Sequence, residues 1–187
     1  MVLGLGHHDV NHTDVIQACQ RGDGEAFRVL FETHKDRVYS IALRYAGDSA
    51  AAMDISQDTF LKLLSSIGQF RGDANFESWL YRLVVNACMD GARRAKPQRL
   101  EAAGFEVDGL AGPDSPERDL AQQQRARSVR AALSAMPVKF RLPILLRYFE
   151  ELSYSEMAAA LNCSMGTVAS RLNRGHKMLA GKLESLR

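Results

Sequence analysis

The chain has 187 residues, 46% hydrophobic and 25% charged, which suits one or two globular domains with a real core. No apolar run is long enough to span a bilayer, and the first residues lack the basic and apolar regions of a secretory leader, so a cytoplasmic protein with no membrane insertion is expected. Cys19, Cys88 and Cys163 are odd in number and scattered without metal-ligand spacing, so they read as buried free thiols, with no metal and no cofactor expected.

Residues 1–12, with His7, His8 and His12, read as a tail. Thr13 or Asp14 is placed to cap a short helix over 15–20, closed by the Arg-Gly-Asp-Gly run at 21–24. A long helix follows over 25–45, with Phe27, Leu30, Phe31, Val38, Ile41, Ala42 and Tyr45 as its apolar side. Gly47, Asp48 and Ser49 break it and cap a third helix over 50–67. There Met53, Phe60, Leu61 and Leu64 are expected to point one way, while Asp54, Gln57, Asp58 and Lys62 share the other face. After a loop over 69–75, a fourth helix over 76–94 carries Phe76, Leu80, Leu83, Val84 and Ala87 at core spacing. Trp79, Arg82, Asn86, Arg93 and Arg94 fall outside that stripe, and aromatics beside cations suit unstacked nucleic acid, although Trp79 serves equally well as core.

Residues 96–120 contain Gly109, Gly112, Pro113, Ser115 and Pro116 and read as a linker. Fully extended, about 24 residues reach ~80 Å, enough to separate two DNA readers by roughly two turns of duplex. The charge divides sharply along the chain: 10 Lys/Arg against 12 Asp/Glu in 1–95, 3 against 6 in 96–120, and 11 against 4 in 121–187. The basic excess therefore lies at the C-terminal end, where phosphates would need it.

That end carries the most informative stretch. Ser153 and Glu156 have capping-box spacing, followed by Met157, Ala158 and Leu161 on one face. Asn162 and Cys163 form a turn, and Ser164 caps a further helix on which Val168, Leu172, Gly175 and Leu179 face inward. Ser164, Thr167, Ser170, Arg171, Asn173, Arg174 and Lys177 remain as candidate DNA contacts, a set of hydroxyls, an amide and cations that suits a helix in the major groove. No stretch demands a strand. The expected fold is all-α: a tail over 1–12, a helical bundle over 13–95, a flexible linker over 96–120 and a helix-turn-helix domain over 121–187.

Several motifs carry a specific resemblance. Ala26-Phe27 through Tyr39, Asp54-Ile-Ser-Gln-Asp-Thr-Phe60, Phe70-Arg-Gly72 and Phe76-Glu-Ser-Trp-Leu-Tyr-Arg82 resemble region 2 of a bacterial extracytoplasmic-function (ECF) sigma factor. Leu133-Ser-Ala-Met-Pro137, Leu146-Arg-Tyr-Phe149, Leu152-Ser-Tyr-Ser-Glu-Met157 and Gly166-Thr-Val168 with Ser170-Arg-Leu172 resemble region 4 of the same family, in the right order. The resemblance implies promoter-specific initiation, with core RNA polymerase, promoter DNA and an anti-sigma factor as partners and no small-molecule substrate. It implies that Asp54, Gln57, Asp58, Leu61 and Lys62 meet the polymerase. It also implies that Arg71, Asp73, Asn75, Phe76, Trp79, Arg82, Asn86, Arg93 and Arg94 hold the −10 strand, a flipped base entering the loop over 71–75. The −35 element falls to the helix beginning at Ser164 or Met165. Ala169 stands where many relatives carry a cation, and Asn173 where a larger residue is common; both bear on which sequence is read. A stand-alone helix-turn-helix regulator, dimeric on a palindromic site, is the alternative. An enzyme is not expected, since no nucleophile-base set, paired ligands or phosphate-cradling loop is present.

Overall fold

The computed structural model describes residues 12–72, 75–94 and 116–184, and these fold into two helical clusters. The first holds α1 (His12–Gln20), α2 (Gly24–Ala46), α3 (Ser49–Ser66), a 3-10 turn at Ile67–Gln69 and α4 (Phe76–Arg94). The second holds α5 (Pro116–Ser134), α6 (Val138–Tyr148), α7 (Tyr154–Ala160) and α8 (Met165–Glu184). The expected tail over 1–12 lies outside the described residues except for His12, and so does most of the expected linker; residues 116–120 are the first turns of α5.

Local chemistry sets the boundaries. Asp23 starts α2 by accepting from the Glu25 and Ala26 amides at 2.9 and 3.1 Å, and Asp48 starts α3 by accepting from Ala51 N–H at 2.8 Å. The capping box of α7 is complete: Glu156 N–H donates to Ser153 Oγ at 3.3 Å, and Ser153 N–H donates to Glu156 Oε2 at 2.8 Å. Ser153 Oγ and Ser153 N–H both donate to Glu156 Oε2, at 2.6 and 2.8 Å, and hold the Glu156 carboxyl below its ordinary range.

One expectation for α3 is overturned. Met53, Leu61 and Leu64 are 60%, 59% and 54% exposed, and the buried stripe is instead Ala52, Ile55, Ser56, Thr59, Phe60 and Leu63. Two polar residues sit inside because their own helix satisfies them. Ser56 Oγ donates to Ala52 O at 2.8 Å and Thr59 Oγ1 to Ile55 O at 2.7 Å. Phe31 of α2, also expected in the core, lies at the rim against Phe60, ring centroids 4.7 Å apart.

The two clusters do not stand apart. Their buried side chains form one contiguous apolar core from Ile16 to Leu172, with α4 packed on α6 and α7, and α2 on α5 and α6. Glu150, immediately after α6, has a side chain only 7% exposed. Its carboxylate accepts from Arg37 Nε at 3.2 Å, Arg44 Nη1 at 3.3 Å and Tyr81 Oη at 3.1 Å, all on the first cluster. Arg141 of α6 is also buried, its guanidinium 4.4 Å from the centre of the Tyr45 ring while Nη1 donates to Ser134 O at 3.1 Å.

Candidate nucleic-acid interface

Three exposed surfaces gather the residues singled out in the sequence. On α3, Asp54, Gln57, Leu61 and Lys62 are exposed and Asp58 is half-buried. Met53 and Leu64 join them, so that Met53, Gln57, Leu61 and Leu64 form a stripe at helical spacing with acids alongside. The sequence reading set Met53, Phe60, Leu61 and Leu64 apart from the polar residues, whereas Met53, Leu61 and Leu64 are exposed alongside them and only Phe60 is buried. Asp58 is paired across the helix boundary with Arg94 of α4, and this hydrogen bond raises the Arg94 pKa.

The second surface surrounds the loop between the 3-10 turn and α4. Phe70, Phe76 and Trp79 form an aromatic triad with ring centroids 5.2–5.8 Å apart. Phe76 is buried and Trp79 half-buried, so Phe76 presents little to a ligand and Trp79 only one side. Asn75 Oδ1 accepts from Glu77 N–H at 3.0 Å as an α4 cap, which leaves its NH2 as the group for other partners. Gly72 has φ +77°, a left-handed turn with nothing within 4 Å of an added Cβ. Asp73 lies outside the described residues. Arg71, Arg82, Asn86, Arg93 and Arg94 are exposed, with Arg93 paired to Asp90 one turn back.

This loop bounds a cleft of about 560 Å³ whose other wall is α1, through Thr13, Ile16, Gln17 and Gln20. Gln20 Nε2 donates to Ile67 O at 3.1 Å and to Phe70 O at 2.7 Å, closing the loop against α1. None of these α1 residues was found from the sequence. The contact spans 47 and 50 residues, and no local periodicity signals it.

The third surface is α8. Val168, Leu172 and Gly175 are buried, and Leu179 packs half-buried against the same core, as the periodicity requires. Gly175 is where α8 meets α6 most closely: a Cβ there would stand 2.9 Å from Ile144 Cδ1 and 3.1 Å from Phe140 O. On the outer side the hydroxyls are partly engaged. Ser164 Oγ accepts from Thr167 N–H at 3.2 Å and lies 2.9 Å from Thr167 Oγ1, and Ser170 Oγ donates to Thr167 O at 2.9 Å. Arg171 is half-buried and folds back, Nη1 3.9 Å from Cys163 Sγ. Asn173, Arg174 and Lys177 are exposed and make no ion pair among the described residues. Ala169, exposed one turn before Asn173, offers a methyl group only.

Comparison with known proteins gives this arrangement a family. The sigma-70 region 2 family model matches residues 30–98 and the sigma-70 region 4 model matches residues 126–179. The ECF sigma factor SigW of Bacillus subtilis is 31% identical over 183 residues, covering 91% of this chain and 96% of SigW. The ECF sigma-E factor of Escherichia coli K12 is 32% identical, covering 92% and 94%, and the sigma-H factor of Pseudomonas aeruginosa is 29% identical, covering 92% and 93%. Among solved structures, CnrH in complex with the cytosolic domain of CnrY superposes with a TM-score of 0.66 at 22% identity, covering 92% of this chain and 96% of that one. The sigma factor RpoE bound to the anti-sigma factor NepR, from Bartonella quintana, gives 0.62 at 22% identity, covering 86% and 98%. No helix among the described residues is long and apolar enough to cross a membrane. With identity above 30% across nearly the whole chain, and both family regions in order on the two helical clusters, the protein belongs to the ECF family of RNA polymerase sigma factors, which direct polymerase to promoters and are not themselves enzymes.

Proposed function

We infer that the three surfaces divide the work of promoter-specific initiation among them. The α3 stripe of Asp54, Gln57, Asp58, Leu61 and Lys62, extended by Met53 and Leu64, binds core RNA polymerase. The loop and the outer face of α4, with Arg71, Asp73, Asn75, Trp79, Arg82, Asn86, Arg93 and Arg94, hold the unpaired −10 strand; Phe76 backs that site from within the core. The outer face of α8 reads the −35 duplex, with Arg174 and Lys177 as the outward cations, Asn173 beside them, and Ser164, Thr167, Ser170 and Arg171 nearer the helix start. An anti-sigma protein is the regulator this reading calls for, and two sigma-like structures of similar fold are complexes, one of them explicitly with an anti-sigma factor. The working location is the cytoplasm, where promoters are.

The observation that carries the reading is the state of α8. Its inward stripe is buried against α6 and α7, while Asn173, Arg174 and Lys177 stand in solvent with no acid neutralising them among the described residues. Cations left unpaired on a helix seated by a capped turn are what phosphate and base-edge contacts need. The test is transcription from a defined promoter with purified core polymerase. Arg174→Ala should cost about 1–3 kcal/mol of discrimination if it reads a base, whereas Lys177→Ala should weaken all duplexes alike and flatten the salt dependence. Wild-type promoter preference and salt slope in both variants would remove α8 from recognition. Arg82→Ala with Asn86→Ala should spare −35 duplex binding and slow strand opening, read by permanganate reactivity of −10 thymines.

A further inference from the structure

The cleft beside the −10 loop has a wall that none of the assigned residues accounts for. Thr13 and Gln17 are exposed, one helical turn apart on α1, and line the cleft together, with Ile16 buried at its floor. The opposite wall holds Phe70, Arg71 and Asn75. At about 560 Å³ the cleft falls within the roughly 300–1,000 Å³ of small-molecule sites and has room for a base with its sugar. One wall is aromatic, the rim carries Arg71 together with Glu77, whose carboxylate is paired with Arg37, and the α1 wall offers a hydroxyl and a carboxamide. A flipped base needs that combination: a surface to lie against, a cation for its phosphate and neutral groups for its edge.

The α1 groups differ in what they have left to give. Both donors of the Gln20 amide are spent on Ile67 O and Phe70 O, so Gln20 shapes the loop. Asn75 has committed its oxygen to α4. Gln17 carries a carboxamide, a donor and an acceptor side by side, the pattern that pairs with the edge of a base.

We propose that α1 is the edge-reading wall of the single-strand site. Gln17 and Thr13 hydrogen-bond the unstacked base and set its identity, and Gln20 is a positioning residue that holds the loop at the distance this requires. The proposal rests on the assignment of the loop to the −10 strand.

The test uses holoenzyme assembled from the full chain and core polymerase, with fluorescent single-stranded oligonucleotides carrying the −10 element and all single-base replacements of it. Gln17→Ala should lose roughly tenfold of the discrimination at one position and leave the other positions unchanged. Gln17→Glu, which keeps size and removes the donors, should change which base is preferred there, and Thr13→Val should weaken the preference at the same position. Gln20→Glu, lacking both donors to the loop, should lower affinity for every oligonucleotide in parallel with preference intact. Polymerase affinity and −35 duplex binding should not move in any of them. Unchanged preference at every position in Gln17→Ala and Thr13→Val, or a uniform loss without a change of preference, would overturn the role of α1. The double variant Asn75→Ala, Trp79→Ala separates the two levels. If it impairs single-strand binding while the α1 variants do not, the α1 wall alone is wrong; if it too is without effect, the loop assignment fails as well.

Discussion

Gly175 shows how one residue sets the placement of the reading helix. In isolation Gly within a helix costs up to about 1 kcal/mol relative to Ala, so propensity alone favours Gly175→Ala. Contact reverses the sign: the added methyl meets Ile144 Cδ1 and the Phe140 carbonyl, and the latter is backbone that cannot rotate away. Gly175→Ala should therefore destabilise the fold by about 1–3 kcal/mol, as overpacking does, measured by urea denaturation. Equal or greater stability would mean that α6 and α8 are less tightly apposed. Buried acids give a second residue-scale outcome. Burial pushes the Cys88 thiol from 9.0 up to about 12, and burial likewise raises Cys19, Tyr45 and Tyr81. Groups held neutral in the fold and freer to ionise when unfolded contribute stability that is complete below their unfolded pKa and is lost as pH climbs toward the folded one. The denaturation midpoint should hold steady up to about pH 9 and decline above it, less steeply in Cys88→Ala. A midpoint that rises between pH 9 and 10.5 would contradict this burial.

Helix α3 separates what periodicity can and cannot say. Its existence, its Asp48 cap and the common face of Asp54, Gln57, Asp58 and Lys62 were legible, because capping chemistry and spacing are local. Its core face was not. Met53, Leu61 and Leu64 are as apolar as Ile55 and Leu63 of the inward stripe, yet that stripe also runs through Ser56 and Thr59, whose hydroxyls bond back to the preceding turn. Hydrophobicity locates apolar residues without saying whether the core or another protein covers them. The consequence is measurable. Met53→Gln with Leu64→Gln should leave the fold within ~0.5 kcal/mol of wild type and weaken core-polymerase binding, whereas Leu63→Ala should cost about 2–5 kcal/mol of stability. A strongly destabilised Met53/Leu64 variant would return these side chains to the core. On α8, by contrast, the inward and outward faces were both legible, since Met165 at the helix start is the exposed large apolar residue and the rest of the stripe lies on one side. The α1 wall of the cleft was illegible for a different reason: it joins segments about fifty residues apart.

At the scale of the whole molecule, the docking of the two clusters was hidden in the sequence because it joins segments far apart in the chain, through a shared apolar core and buried charges together. Nothing in the local sequence singles out Glu150 or Arg141, whose charged side chains are both buried. Each is chemically answered by the other side: Glu150 by Arg37, Arg44 and Tyr81, and Arg141 by the Tyr45 ring. This docking sets a geometric conflict with function. Contacts of α4 with α7 and of α7 with α8 hold the two clusters side by side in this docked form. Elements centred near −10 and −35 are separated by more than two turns of duplex, about 70 Å or beyond at ~34 Å per turn. If the loop with α4 and the outer face of α8 are the two readers, engaging both elements on one straight promoter is expected to separate the clusters and break the contacts of Glu150. Charge-assisted hydrogen bonds contribute about 1.5–3 kcal/mol when buried, less here because Arg37 and Arg44 remain 44% and 38% exposed. Glu150→Ala should shift the free protein toward separated clusters, seen as a larger radius of gyration in small-angle scattering. The reciprocal variant Arg37→Ala, Arg44→Ala should do the same, and combining all three should add little, because both routes remove one interaction. Thermal unfolding should then lose the single cooperative transition that a shared core imposes. An unchanged radius in both variants would show that the apolar contacts of α4 with α6 and α7 hold the clusters without help from Glu150.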